Sequence, residues 1–342
     1  MQKKDIKNLT LEELKEEFGR ISEPLYRAAQ VFSWVYKKGA ADFSAMNNLP
    51  KALRDKLALH FCIGAIKPLR HLKSIDKAEK VLFQLTDDNK IETVLIPAAR
   101  RNTLCVSTQA GCKYACSFCA SGMNGFKRNL TTSEILSQVL FMKYNLKHDL
   151  TNFVFMGMGE PFDNYENVVK AIRIMNSPGA LAIAARRITV STSGIIPGIE
   201  KFKELGLQVN LSISLHAADN ALRDRLMSVN KKYPLEELLK ACEGYISFGG
   251  RMITLEYIVI KGVNDSPRDA GGLARIAKRL KAKVNLITYS DTGIADFQAP
   301  IKEDVESFKD SLIEKGVNAT IRESKGKDIM AACGQLAASP VS

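Results

Sequence analysis

The 342-residue sequence predicts an α/β protein: a partial (β/α)6 barrel of the TIM type, with a small N-terminal helical domain and a short β-hairpin extension. Three observations carry this. From residue 101 onward, six apolar runs of strand length alternate with amphipathic runs of helix length, the pattern of a parallel sheet with crossover helices. Residues 1–62 show helical periodicity. Between these regions, two strand-like runs flank Asp87–Asp88–Asn89, a turn signal. The expected division is 1–68 for a helical accessory domain, either an RNA-docking unit or equally a simple packing cap, 69–100 for the hairpin, 101–322 for the barrel and 323–342 for a tail.

Leu9 to Leu14 reads as a helix start, because Thr10 is a capping hydroxyl and Glu13 lies at capping-box spacing. Arg27 to Lys38 is an amphipathic helix closed by Gly39, and its Trp34, the single tryptophan, is expected in the core. Leu49–Pro50 opens a third helix through Leu57 and Leu59. Lys80–Leu85 and Ile91–Ile96 are the hairpin strands, and alternation alone puts Glu92 on the solvent face. Barrel strands are expected at Thr103–Ser107, Asn152–Met156, Ile188–Ser191, Val209–Leu215, Met252–Val259 and Val284–Thr288. Helices fall at Ser133–Lys147, Tyr165–Met175, Pro197–Leu205, Ala221–Met227, Leu235–Ser247 and Arg268–Leu280. Right-handed crossovers would curl such a sheet. A last helix, Glu303–Lys315, and an extended piece, Val317–Arg322, lead into the tail.

Hydrophobic residues make up 46% and charged residues 25%, an ordinary globular balance. No apolar run approaches the ~20 residues of a membrane span. The N-terminus is polar and lacks the apolar core of a secretory signal, so a cytoplasmic protein is expected. Seven cysteines, an odd number, argue against a disulfide framework and for metal or redox chemistry. A net charge of +12 and a pI near 9.3 favour a polyanionic partner, nucleic acid first. Basic pairs at Arg100–Arg101, Lys127–Arg128, Arg186–Arg187 and Lys231–Lys232, and the run Arg275–Lys283, spread that surplus. Any one pair alone fits a solvated face.

The chemistry concentrates in Cys105 to Gly122, CVSTQAGCKYACSFCASG. Cys112, Cys116 and Cys119 follow a C-x3-C-x2-C spacing. Thiolate is a soft ligand, and tight thiolate clusters select zinc or iron–sulfur centres. A structural zinc site wants four ligands in a closed tetrahedron. Three cysteines suit instead a four-iron, four-sulfur cluster with one iron open to a small chelating ligand. The zinc reading, a non-enzymatic RNA-binding protein, remains as the alternative. The loop directly follows the first barrel strand, and in such barrels chemistry sits at the C-terminal strand ends. The spacing resembles the signature of radical S-adenosylmethionine (SAM) enzymes, whose open iron chelates the amino and carboxylate groups of SAM.

Other strand ends fit the same ligand. Gly157–Met158–Gly159–Glu160–Pro161 follows the second strand; its glycines admit a ligand close to the backbone, and Glu160 can accept from an ammonium. This segment resembles the glycine-rich SAM-binding motif of those enzymes. Ser191–Thr192–Ser193–Gly194 ends the third strand with hydroxyls suited to a carboxylate or ribose. Ser214–Leu215–His216 ends the fourth, where His216 is either structural or a ligand residue. The sixth carries Asn285, whose amide suits an adenine edge. Far downstream, Cys333 lies between Ala332 and Gly334, small residues that leave its sulfur accessible. Cys62 and Cys242 sit among apolar neighbours and are expected to be structural.

CVSTQAGCKYACSFCASG, MGMGEP, RRITVSTSGIIPGI, VNLSISLHA with RDRLM after it, and AACGQL are together similar to the RlmN/Cfr family, in order from about residue 20 to residue 336. The resemblance implies a radical SAM methyltransferase acting on an adenosine of 23S ribosomal RNA in the peptidyl transferase region. It implies cluster ligation by Cys112, Cys116 and Cys119, and SAM contacts from Gly159, Glu160, Ser191, Ser214, Leu215, His216 and Asn285. Cys333 would carry the methyl group, Cys105 would resolve the adduct and Glu92 would accept a proton. The implied scheme uses two SAM molecules per turnover. One methylates Cys333; reductive cleavage of the second gives a 5′-deoxyadenosyl radical that takes hydrogen from the S-methyl group. The carbon radical adds to adenine, the ring proton leaves, and Cys105 attacks the sulfur to free the RNA. A Cys105–Cys333 disulfide is left for reduction.

An electron donor such as flavodoxin or ferredoxin and a monomeric state are implied as well. RlmN-type members methylate adenine C2, and many also act on adenosine 37 of tRNA; Cfr-type members methylate C8. SLHAADNALRDRLM is closer to the RlmN type, so C2 is expected and C8 is the alternative. NLITYSD departs from the family by lacking proline after NLI and asparagine after the aromatic, and Ser121 stands where threonine is common.

Overall fold

In the computed structural model, which describes residues 3–293 and 296–337, ten strands form one sheet. β1 (Lys67–Lys73), β2 (Glu79–Gln84) and β3 (Lys90–Ala98) are antiparallel and lead into β4 (Arg101–Cys105). From β4 on, every pairing is parallel through β5 (Asn152–Phe155), β6 (Ile188–Thr192), β7 (Asn210–Ser214), β8 (Thr254–Val259), β9 (Lys283–Thr288) and β10 (Ala319–Arg322). Spatial order follows chain order across the whole sheet, as successive crossovers in one direction produce. Parallel strands are covered on both faces, and all of β8 is buried.

The expected six barrel strands are present, and Val317–Arg322 supplies a seventh, the short β10. The hairpin gains an outer strand, β1, whose sequence KPLRHLK concealed it. It is an edge strand, mostly exposed and rich in basic residues, which protect an edge from further pairing. The tail then crosses back to the β1–β2 turn. The Gly326 N–H donates to Asp76 Oδ2 (2.8 Å), and Ser74 Oγ donates to Asp328 Oδ1 (2.5 Å).

α1 (Leu11–Arg20) starts at the expected Thr10–Glu13 capping box. It packs with α2 (Leu25–Lys37) and α3 (Lys51–His60) through Leu14, Phe18, Val31 and Leu57. Trp34 is only half-buried: its Nε1–H donates to Asn48 Oδ1 (2.5 Å), and Lys38 Nζ lies 3.6 Å from the ring centroid. The polar edge of an indole finds such a partner more readily at the rim than in an apolar core. This unit meets the barrel at α4 (Thr132–Leu140), where Asn8 Oδ1 accepts from the Ser133 N–H (2.8 Å). α4 stops short of the expected Lys147, because a π-turn at Phe141–Asn145 ends it. The remaining helices are α5 (Tyr165–Asn176), α6 (Ile196–Phe202), α7 (Asn220–Leu226), α8 (Leu235–Ser247), α9 (Pro267–Arg279) and α10 (Lys302–Glu314). Among the described residues no helix is long and apolar enough to cross a membrane.

Candidate active site

The C-terminal ends of the parallel strands open onto a cleft of about 1150 Å³, counted to its mouth. The loop between β4 and α4 brings Cys112, Cys116 and Cys119 to its wall. Local geometry fixes this loop. Gly111 has φ +77°, and a Cβ there would stand 1.8 Å from the Gly125 carbonyl, so only glycine fits. The Ser117 N–H donates to Leu226 O (3.0 Å), and Ser228 Oγ donates to Tyr114 O. Burial pushes the Cys112 thiol up to about 12 and Cys116 well above its ordinary value; neighbouring cysteine charge adds to both. Burial raises Cys119 too. Three thiolates packed here therefore need a cationic group among them. Among the described residues, no three His, Cys, Asp or Glu side chains converge to hold one metal ion. A structural zinc site wants four ligands where three thiols stand, whereas three thiolates suffice for a cubane with one iron left open. The three-cysteine wall thus fits a four-iron, four-sulfur cluster.

The opposite wall offers polar groups. Gly159 (φ +96°) lies over Gln109, whose Oε1 accepts from the Glu160 N–H (2.8 Å). Glu160 is buried, accepting from the Phe162 N–H (3.0 Å) and the Ser193 N–H (2.7 Å), and burial raises its carboxyl. The Ser191 and Ser214 hydroxyls are 3.4 Å apart at the ends of β6 and β7. His216 follows in a left-handed conformation (φ +58°), with Nδ1 accepting from the Ile258 N–H (3.1 Å). That bond leaves the neutral ring's proton on Nε2, and burial pulls the imidazole down to about 3. Phe118, between two cluster cysteines, meets this ring edge-on at 4.8 Å.

Cys105 and Cys333 line the same cleft, and both are free thiols. Cys105 is buried at the end of β4; burial and the charge of Cys333 push it up to about 12. Cys333 is exposed toward the cleft yet ringed by protein atoms, which push it up to about 11. The charge of Arg322, at the end of β10, pulls both thiols down.

Three predicted residues stand off the cleft wall. Leu215 is fully buried, and its carbonyl accepts from Arg223 Nε (3.2 Å). Asn285 turns sideways: Nδ2 donates to Glu256 Oε1 (3.2 Å), and Oδ1 accepts from Thr320 Oγ1 (2.8 Å). Glu92 is not on the solvent face that alternation gave it. It is 2% exposed, paired with Lys80 at 2.9 Å, because the tail covers that side of the hairpin.

The structure adds Glu256 and Arg322 to the wall, with Arg223 beneath it. Glu256 Oε1 accepts from Ser212 Oγ (3.1 Å), while Oε2 has no hydrogen-bond partner among the described residues. A buried acceptor left unpaired marks room for a polar ligand. Its signal was in the sequence: one carboxylate in the otherwise apolar-rich run Ile253–Ile260.

An open-sided barrel with three cysteines at its first strand end and a glycine-rich turn at its second defines a radical SAM protein. Residues 106–270 match the family profile described as Radical SAM superfamily. Residues 4–63 match the profile described as Ribosomal RNA large subunit methyltransferase N-terminal domain. The chain is 42% identical over 334 residues to the Probable dual-specificity RNA methyltransferase RlmN of Clostridium novyi (strain NT), covering 97% of each. It is 43% identical over 338 residues to the Dual-specificity RNA methyltransferase RlmN of Syntrophus aciditrophicus (strain SB), covering 98% of this chain and 97% of that one. The crystal structure of a radical SAM methyltransferase from Sphaerobacter thermophilus superposes with a TM-score of 0.94 at 44% identity, covering 98% of this chain and 100% of that one. The chain belongs to the RlmN family of radical SAM methyltransferases, a membership that carries a four-iron, four-sulfur cluster and SAM with it.

Proposed function

We propose that the chain methylates adenine C2 of an adenosine in 23S ribosomal RNA, and of adenosine 37 in tRNA, carrying the methyl group on Cys333. The observation that supports this most directly is the meeting of Cys333 and Cys105, distant in sequence, at one cleft with the three-cysteine loop. When bound, the cluster and SAM supply a 5′-deoxyadenosyl radical, the hydrogen-abstracting species such a reaction needs. Cys112, Cys116 and Cys119 hold the cluster. Gly159 leaves the backbone open to SAM, and Glu160, Ser191, Ser214 and His216 orient it; Leu215 acts through its backbone and Asn285 through Glu256. Cys333 accepts the methyl group, and Cys105 later attacks the Cys333 sulfur. Both attacks need a thiolate, which burial opposes and Arg322 favours. Glu92 is the acceptor of the ring proton in this reading, although here its carboxylate is engaged behind the tail by Lys80 and the Ala337 N–H.

Two SAM molecules per turnover, a flavodoxin- or ferredoxin-type donor, a monomer and a cytoplasmic setting complete the reading. The N-terminal helices dock RNA, consistent with the chain's net charge of +12. Nucleoside mass spectrometry on RNA treated with reconstituted protein tests it. We expect 2-methyladenosine from the wild type, none from Cys333→Ala, and a covalent RNA–protein adduct from Cys105→Ala. 8-Methyladenosine would assign the C8 reaction instead, and a fully active Cys105→Ala protein would end the two-cysteine scheme.

A further inference from the structure

Cys333 rides on the segment Met330–Ala337, and one buried ion pair holds both ends of it. Lys80 Nζ lies 2.9 Å from Glu92 Oε1, and the two side chains are 3% and 2% exposed. The same ammonium donates to the Met330 carbonyl (2.9 Å), three residues before Cys333. The same carboxylate accepts through Oε2 from the Ala337 N–H (3.0 Å), four residues after it. An ammonium has three donors and a carboxylate several acceptor sites, so each serves its partner and the backbone at once. Met330 is held at φ +52°, a left-handed conformation that methionine adopts only where its surroundings impose it. On the other side, the cluster loop grips the middle of the segment: the Ala120 N–H donates to Gly334 O (2.6 Å), and Ser121 Oγ donates to Leu336 O (2.7 Å).

We propose that Lys80 is a positioning residue for the methyl carrier: its pair with Glu92 latches both ends of the Cys333 segment and sets the thiol toward the cleft. The proposal rests on Cys333 being that carrier. A buried ion pair is a weak source of stability, since apolar residues of similar volume often do as well. What it provides here is direction, because charge-assisted bonds fix two backbone groups flanking the reactive sulfur.

The test compares cluster-loaded wild type with Lys80→Met, Lys80→Arg and the doubly neutral Lys80→Met/Glu92→Gln. Hydrogen–deuterium exchange is read on peptides covering 326–337, and Cys333 alkylation by iodoacetamide is read by mass spectrometry. We expect at least tenfold faster exchange and alkylation in Lys80→Met and in the double variant, with iron content unchanged and near-normal behaviour restored by Lys80→Arg. Methylation of Cys333 by SAM should fall in rate while its KM for SAM holds. If Lys80→Met fails to fold, the double variant decides, because it leaves no unpaired buried charge. Wild-type exchange rates in the double variant overturn the latch. A wild type that never carries S-methyl on Cys333 overturns the carrier reading instead, while the exchange measurement still judges the latch.

Discussion

Arg223 gives the sharpest test of how the cleft is built. It is 0% exposed on α7, yet it carries a charge. Its Nε donates to Leu215 O (3.2 Å), Nη1 to Asn230 Oδ1 (2.8 Å), and Nη2 to Ser193 O (2.6 Å) and Ser214 O (3.3 Å). One guanidinium thus ties the ends of β6 and β7 together beneath the cluster loop. Burial pulls it down to about 10, opposed by the charge of Cys116. Arg223→Met keeps the approximate length and removes the fork. Hydrogen bonds to a charged donor are worth ~1.5–3 kcal/mol each, but burying that donor costs several kcal/mol. The net loss should be about 4 kcal/mol, within the range for breaking a buried network. With 342 residues and about 2.1 cal/mol/K of unfolding entropy per residue, the total is about 0.7 kcal/mol/K, so Tm should fall by about 6 °C. Thermal melts of cluster-free protein measure this. Arg223→Lys should recover about half, since a single ammonium cannot span both strand ends. On reconstituted protein, Arg223→Met should also move the cluster potential negative, because a cation near Cys116 favours the added electron. A melt within about 1 °C of wild type, or a potential moved positive, refutes the reasoning.

Two further outcomes follow from the same geometry. At Gly159→Ala a Cβ would stand 2.4 Å from Gln109 Cβ at φ +96°, displacing the residue that holds the Glu160 N–H; SAM should bind at least about tenfold more weakly, a loss of ~1.4 kcal/mol or more, with iron content unchanged. Equilibrium dialysis decides, and unchanged affinity removes this turn from the SAM site. His216 is pulled down to about 3 by burial. The unfolded imidazole therefore binds a proton below about 6.5 while the folded one does not. Stability contributed by the neutral ring is complete above that pH and is lost as pH falls toward 3, by roughly 2 kcal/mol at about pH 5. Urea melts of cluster-free protein across that range should show the slope, and His216→Gln should flatten it; an equal slope in both proteins assigns it elsewhere.

What was legible in the sequence was set by local spacing. The cysteine loop declares itself within eight residues, and the parallel sheet delivers every strand end to one rim, so Gly159, Glu160, Ser191, Ser214 and His216 could be placed in advance. What stayed hidden was set by partners arriving from elsewhere. The side-chain partners of Asn285 were among them: β10, read only as an extended piece, gives it Thr320 for a neighbour. Nothing in the sequence singles out Arg223 from its neighbour Arg225; it is buried because the loops after β6 and β7 present carbonyls to it. Glu92 is the clearest instance. Strand alternation says which residues share a face, but not what covers that face. Its covering segment begins more than two hundred residues later, and Ala337 meets Glu92 across 245 positions. The same contact turns a side chain assigned to solvent into one end of a buried pair. A tail that completes a site from so far away can be recognised from its own motif, AACGQL, but the surface that receives it can be read only once the sheet has curled.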